Sequence, residues 1–383
     1  MSKKYDVAII GGGVIGSSVA HFLAERGYQV AIVEKQRIAS EASKAAAGLL
    51  GVQAEWDAYD PLFELARKSR AIFPQLAAVL REKTGIDIGY EEKGIYRIAQ
   101  NEDEKTRILD IMDWQQKTGE ESYFLTGDEL YEKEPFLSSS IIGAVYYPKD
   151  GHVIAPELTK AFAHSAAISG ADIYEQTEVF DIKIENNRVV GIVTNEGMIT
   201  CEKVVIAGGS WSTKLLHHFH SEWGTYPVKG EVVAVKSRKP LLQSPIFQER
   251  FYIAPKRGGR YVIGATMKPH TFNKSVQPES ITSILERAYT ILPALKEAEW
   301  ESTWAGLRPQ SNHEVPYMGA HEEIKGLYAC TGHYRNGILL SPVSGQYMAN
   351  LIEGKQGNYL LDSLVSKSTY PALTGSKRLI DGG

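Results

Sequence analysis

The sequence predicts an α/β fold in two parts, on three observations. Residues 5–35 run strand, glycine turn, helix and second strand ending in an acid. Two later stretches, 204–212 and 326–354, again pass from an apolar strand into glycines. Between them, residues 226–310 turn to β-branched and aromatic strands. A nucleotide-binding unit assembled from separated segments, with a strand-rich second domain inserted, accounts for all three.

The first segment, YDVAIIGGGVIGSSVAHFLAERGYQVAIVEK, justifies the nucleotide reading. Residues 5–10 are an apolar strand, and residues 14–26 have helical spacing, with Ile15, Val19, Phe22 and Leu23 inward and Gly27 as cap. Strand 29–33 follows and ends in Glu34. Unpaired helix-terminal amides beside a glycine turn form a pyrophosphate site. Gly11 permits the turn, Gly13 clears space for phosphate, and Gly16 lets helix and strand approach. Val14 and Ile15 begin that helix. Glu34, followed by Lys35, is in place to accept ribose hydroxyls. An acid there argues against a 2'-phosphate and leaves NAD or FAD.

FAD is favoured by VVIAGGSWS, where strand 204–207 runs into Gly208, Gly209, Ser210 and Trp211, glycines suited to close passage beside a cofactor. Residues 40–51, SEASKAAAGLLG, offer small side chains (Ala46, Ala47, Gly48 and Leu49) where main chain can approach a flat ring; Ser40 and Ser43 can donate to phosphate. An Ala-rich core helix is the alternative for that stretch. In GHYRNG, Arg335 stands between Tyr334 and Asn336 at a helix entrance, with Gly337 and Ile338 beginning the helix. Alone, it reads equally well as a solvated charge.

Residues 60–83 read as helix despite Pro74, 94–99 as a short alternating segment, and 102–126 as charged helix. Strand and turn are expected over 143–156, with His152 on a surface turn, followed by helix and a hairpin at Asn186–Asn187. Arg257–Gly258–Gly259 is a second hairpin turn, and 277–290 is a helix. The expected division is 1–85, 151–220 and 309–365 for the FAD-binding domain, 86–150 and 221–308 for the substrate domain, and 366–383 for a loosely held tail.

Composition excludes other classes. In 383 residues, 43% apolar and 23% charged with net charge -4, there is no bulk attraction to nucleic acid or anionic membrane. Two cysteines, Cys201 and Cys330, argue against a disulfide-stapled secreted fold. The basic N-terminus has too short an apolar run for a signal peptide, and no apolar stretch spans a bilayer. A cytoplasmic protein without a metal site is expected.

The fingerprint, AAAGLLG, VVIAGGSWS, WAGLRP and GHYRNGILLSP, in that order, resemble the FAD-dependent amine oxidases of the D-amino-acid oxidase and sarcosine oxidase superfamily, within it the glycine oxidase family of thiamine (thiazole) biosynthesis. The resemblance covers residues 5–360. It implies a Rossmann-like FAD-binding domain with an antiparallel-sheet substrate domain, and a homotetramer. It also implies residue roles. Arg308 in WAGLRP matches the arginine that binds the substrate carboxylate, Arg335 a second cation there, and Tyr252 in RFYIAP a tyrosine whose hydroxyl reaches it. These three are the expected catalytic residues. Glu55 matches an acid near the pocket mouth, Met267 a lining residue near the flavin, and Val179 the position whose backbone contacts adenine. His333 is a hydrogen-bonding neighbour of the cofactor rather than a base.

Two departures from the family pattern stand out. Arg250 replaces a histidine and either adds a third positive charge for the substrate or points to solvent. Neither cysteine matches the position where sarcosine oxidases attach FAD, so non-covalent FAD is expected. The implied reaction is hydride transfer from glycine, and from sarcosine or small D-amino acids, to flavin N5. The resulting imine hydrolyses to glyoxylate and ammonia, and O2 becomes H2O2. A D-amino-acid, sarcosine or proline oxidase or dehydrogenase of the same fold is the alternative.

Overall fold

The computed structural model describes residues 3–355 except 217 and 220–222. The expected tail at 366–383 lies outside the described residues.

The first strand, Lys4–Ile10, is central to an eight-stranded sheet. It pairs in parallel with Val30–Val33 on one side and Gly197–Ile206 on the other. Asp172–Tyr174 and Leu327–Thr331 extend the parallel array outward. Four strands therefore converge on this strand's neighbourhood from widely separated parts of the chain. The near-continuous Val, Ile and Ala runs at 7–10, 30–33 and 204–206, at the centre of the array, suit a sheet buried on both faces. Helices Val14–Ala24, Pro61–Thr84, Ala155–Ile168 and Gly337–Ile352 supply one covering layer through Val19, Leu23, Phe73, Phe162 and Met348, all buried. The other face packs on Ile182, Ile192 and Leu216.

The second sheet has nine strands. Its backbone is the long antiparallel pair Thr225–Lys236 with Glu299–Ser311. It is antiparallel as expected, with one exception: Ile246–Gln248 runs parallel to Ile95–Ala99. Those two strands come from different stretches of chain, so no hairpin imposes their direction. Helix Pro278–Ile291 covers this sheet through Ile281, Ile284, Ala288 and Ile291.

Most local expectations hold. Helix Pro61–Thr84 carries Pro74 in its interior; Asp60 caps it by accepting from the Leu62 and Phe63 amides, and left-handed Gly85 ends it. The Asn186–Asn187 hairpin has both residues at positive φ, 50° and 56°. Residues 102–126 are not one helix. The helix stops at Lys117, Gly119 turns left-handed, and Tyr123–Thr126 pairs with Gly143–Tyr147. Aromatic and β-branched YFLT favours a strand over the helical continuation that charge alone suggested. His152 is not on a surface turn either. Strand Gly151–His152 pairs with Leu49–Leu50, which buries the ring; burial, reinforced by the Lys256 charge, lowers its pKa to about 3.

Candidate active site

The glycine turn follows directly from the first strand. Gly11 has φ +114°, and a Cβ there would lie 2.5 Å from the Ala207 carbonyl oxygen, so only glycine lets the two strand ends approach. The turn is held from outside by polar side chains. Glu34 accepts from the Gly12 amide at 2.7 Å and from the Gln36 amide at 2.8 Å. Ser43 Oγ accepts from the Val14 amide at 2.9 Å. Burial raises the Glu34 pKa, and its two amide bonds oppose that rise without cancelling it.

A cavity of ≈ 740 Å³ starts at this turn and reaches the second sheet. Gly11, Gly13, Val14, Ile15, Glu34, Lys35, Ser40, Ser43, Val179, Gly208 and Trp211 line one end. Gly16 does not line it, contrary to its expected place among the cofactor contacts. A Cβ there would overlap the Gly11 carbonyl oxygen, so Gly16 serves only the packing of helix on turn. FAD fits this end: first-turn amides have no partner within their helix. At Gly13, too, the nearest heavy atom to a Cβ is Ser43 Oγ, 3.4 Å away, which leaves room for a phosphate. Ala46, Ala47, Gly48, Leu49, Gly337 and Ile338 also line the cavity. Residues 40–51 are not a core helix. A single turn, Ala42–Ala45, is followed by extended chain, held where Trp304 Nε1 donates to the Ala45 carbonyl at 3.0 Å.

The far end gathers Glu55, Tyr252, Met267, Arg250, Arg308, Tyr334 and Arg335. Arg308 comes from strand Glu299–Ser311, and its guanidinium passes over Gly230 on the paired strand. A Cβ at Gly230 would sit 2.5 Å from Arg308 Cζ. Arg308 donates to the Thr266 carbonyl at 3.1 Å, and among the described residues no carboxylate lies within ion-pairing distance. Burial, with the neighbouring Arg335 charge, lowers its pKa. Tyr252 is buried, and its hydroxyl has no hydrogen-bond partner among the described residues. Burial raises its pKa against the pull of Arg308 and Arg335.

Arg335 is not a free second cation. Its Nη2 lies 3.0 and 2.8 Å from the two Glu55 carboxylate oxygens. Burial works against the Arg335 charge, but Glu55 outweighs it and raises the pKa. Glu55 is held in turn. It ends the short helix Val52–Glu55, whose Val52, Gln53 and Ala54 amides all donate to buried Asp150, at 2.9 to 3.0 Å. Arg70 pairs with Asp150 at 2.6 Å and with Glu120 at 2.5 Å. Arg250 is exposed at the rim, with Nη1 3.7 Å from Met267 Sδ, and it has no ion pair among the described residues. His333 lines the cavity but is buried, with Nε2 3.0 Å from Ser344 Oγ. Burial lowers its pKa to about 3, so it is neutral. Asn336 completes the lining.

Sequence reasoning missed Tyr334, Gly230 and Thr266. Tyr334 sits at φ 50°, with its hydroxyl 3.5 Å from Met267 Sδ. A glycine inside the strand-like run VKGEVV was the available signal for Gly230, since mid-strand glycines mark close approaches. Among the described residues, no His/Cys/Asp/Glu group could hold a metal, and no helix is long and apolar enough to cross a membrane.

The family model described as "DAO: FAD dependent oxidoreductase" matches residues 6–351. The crystal structure of glycine oxidase from Bacillus cereus ATCC 14579 superposes with a TM-score of 0.92 at 87% identity, covering 96% of this chain and 99% of that one. Glycine oxidase of Geobacillus kaustophilus (strain HTA426) is 45% identical over 358 residues, 93% of this chain and 95% of the relative. Glycine oxidase of Bacillus subtilis (strain 168) is 32% identical over 363 residues, 94% and 95% of the two chains.

Proposed function

The chain belongs to the DAO family of FAD-dependent oxidoreductases, and on that premise we propose that it oxidises glycine to glyoxylate, with sarcosine and small D-amino acids as further substrates. The observation that carries this reading is Arg308, a cation with no carboxylate partner among the described residues, beside the Tyr252 hydroxyl, which has no partner among them either, at the far end of the cavity.

FAD, when bound along the glycine turn, supplies the two-electron acceptor. The chain supplies placement. Arg308 grips the substrate carboxylate as a two-toothed fork, and Tyr252 donates a directional hydrogen bond to it. A substrate with so few atoms has little else to be held by, so these contacts set where its α C–H points. Arg335, already paired to Glu55, shapes the wall and adds little net charge. No residue is needed as a strong base, and His333, neutral and bonded to Ser344, is not one. Overall, glycine, water and O2 give glyoxylate, ammonia and H2O2.

We place Met267 and Arg250 at the mouth, and the lining residues of the glycine-turn end, with Ala46, Ala47, Gly48, Leu49, His333, Arg335, Asn336, Gly337 and Ile338, against FAD held non-covalently. We propose two domains, meeting near residues 85, 150, 220 and 308; the presence of two large sheets supports this, although strand Glu299–Ser311 runs past the last boundary. Cytoplasmic location rests on the composition and apolar patterning of the sequence, whereas a homotetramer and a role in thiamine biosynthesis rest on the resemblance alone. Incubating the purified holoenzyme with glycine tests the central reading: equal yields of glyoxylate and H2O2 are expected, and absence of both rejects it.

A further inference from the structure

Among the described residues, Arg308 has one hydrogen-bonding anchor, the Thr266 carbonyl oxygen. A long side chain with one anchor is well placed only if that anchor is itself rigid. Thr266 is fastened three times to Glu231. The Glu231 amide donates to Thr266 Oγ1 at 2.9 Å, Thr266 Oγ1 donates to Glu231 Oε2 at 3.2 Å, and the Thr266 amide donates to the Glu231 carbonyl at 3.4 Å.

Glu231 is fully buried. Its Oε1 accepts from the Gln277 amide at 2.7 Å, and the Lys229 and Lys268 ammonium groups lie 3.2 and 3.1 Å from its oxygens. Burial alone would raise its pKa. Hydrogen bonds from Ser280 and Gln277, with the two lysines, outweigh that and hold it at about 2. Lys229, also buried, donates to the Ser275 carbonyl at 2.5 Å. Both ends of segment 266–277 thus hang on the Lys229–Glu231 pair. The same segment carries Met267 at the cavity, Phe272 with its ring centroid 5.7 Å from that of Trp211, and Lys274 paired to Glu41 at 2.9 Å.

A buried ion pair is weak evidence for stability, because desolvation offsets much of its attraction. Positioning is the better account here, since the bonds of Glu231 to Thr266, Lys268 and Gln277 all lead to the segment that holds Arg308. We propose that Glu231 and Thr266 are positioning residues for substrate binding: the buried carboxylate fixes Thr266, whose carbonyl aims the Arg308 guanidinium at the substrate carboxylate. The proposal rests on the reading that Arg308 binds that carboxylate.

The test uses the holoenzyme with acetate, a carboxylate with no amine to oxidise, and follows binding by the flavin absorbance spectrum. Arg308→Met comes first; if it binds acetate as well as the unaltered chain, the underlying reading of Arg308 fails. With Arg308→Met weakened, Thr266→Val, which keeps the shape and loses the hydroxyl, is expected to raise the acetate Kd and the glycine KM together, roughly tenfold. Thr266→Ser, which returns the hydroxyl, recovers most of that affinity. Glu231→Gln moves the same way as Thr266→Val. Acetate affinity within about twofold of the unaltered chain in both Thr266→Val and Glu231→Gln, beside a weakened Arg308→Met, overturns the proposal, whether or not their melting temperatures fall.

Discussion

Arg335 and Glu55, 280 residues apart in the chain, meet as an ion pair with contacts of 2.8 and 3.0 Å on the cavity wall. Among the described residues, the pair leaves Arg308 as the inner cation beside Tyr252 with no carboxylate of its own, while Arg250, also without an ion pair, stays exposed at the rim. The two inner arginines are therefore not equivalent grips. One is available to an anion, and the other is already occupied.

Breaking this pair from its two sides has unequal consequences. Arg335→Met strands the Glu55 carboxylate beside the incoming substrate carboxylate, so the glycine KM should rise by roughly tenfold or more. The double variant Arg335→Met/Glu55→Gln should recover part of that loss, because the repulsive charge is gone. A double-mutant cycle on KM measures the coupling. If the double variant is as poor as the sum of the singles, the pair is not the unit described here.

Arg308 and Tyr252 differ in what they lose. Each charge-assisted hydrogen bond is worth roughly 1.5–3 kcal/mol, so removal of a two-toothed contact by Arg308→Met should lower kcat/KM for glycine by about 10²–10⁴-fold. Tyr252→Phe removes one hydroxyl bond and should cost about tenfold. FAD content should be unchanged in both, since neither residue lines the glycine turn. Steady-state kinetics with flavin-to-protein absorbance ratios check all three expectations.

Asp150 joins the stability of the fold to the site. It accepts three amides from the turn that carries Glu55 and pairs with buried Arg70. Asp150→Asn keeps the shape but removes one of the two carboxylates around buried Arg70, which retains Glu120, so the cost should stay below the about 3–5 kcal/mol of a fully stranded buried charge. Urea unfolding should show a lower midpoint with unchanged slope.

Three buried histidines give the fold an acid sensitivity. Burial lowers His21 to about 4 and both His152 and His333 to about 3, against an ordinary 6.5. Each is harder to protonate folded than unfolded, so its contribution to stability is complete above 6.5 and drains as pH falls towards the folded value. The slope is about 1.4 kcal/mol per pH unit for each group in that window. Asp150, raised to about 6 by burial, acts in the opposite sense between 6 and 3.8, as do Glu34 and Glu134, which burial also raises, but from pH 7 to pH 5 the three histidines outweigh them. Melting temperatures should therefore fall from pH 7 to pH 5, and His152→Gln should flatten the fall.

The nucleotide half was legible because its signals are local. Gly11, Gly13 and Glu34 fall within a single strand–helix–strand unit, and Glu34 bonds the nearby Gly12 and Gln36 amides, although the close approach that Gly11 permits is to distant Ala207. The substrate end was legible only through resemblance. Nothing near Arg308 in the sequence shows that Gly230 gives it room, because that contact depends on the register of two strands. Likewise, nothing near Arg335 shows that Glu55 neutralises it. His152 was misplaced for the same reason. Its burial comes from pairing with Leu49, about a hundred residues earlier. Residues 102–126 failed differently, since charge spacing outvoted the strand preference of YFLT.

Anaerobic mixing of the holoenzyme with glycine tests the central claim most directly. The visible flavin absorbance should bleach, and readmitted O2 should restore it with H2O2 formed; Arg308→Met should stay coloured at the same glycine concentration. A flavin that keeps its colour with glycine, sarcosine, D-alanine and D-proline alike would contradict the account.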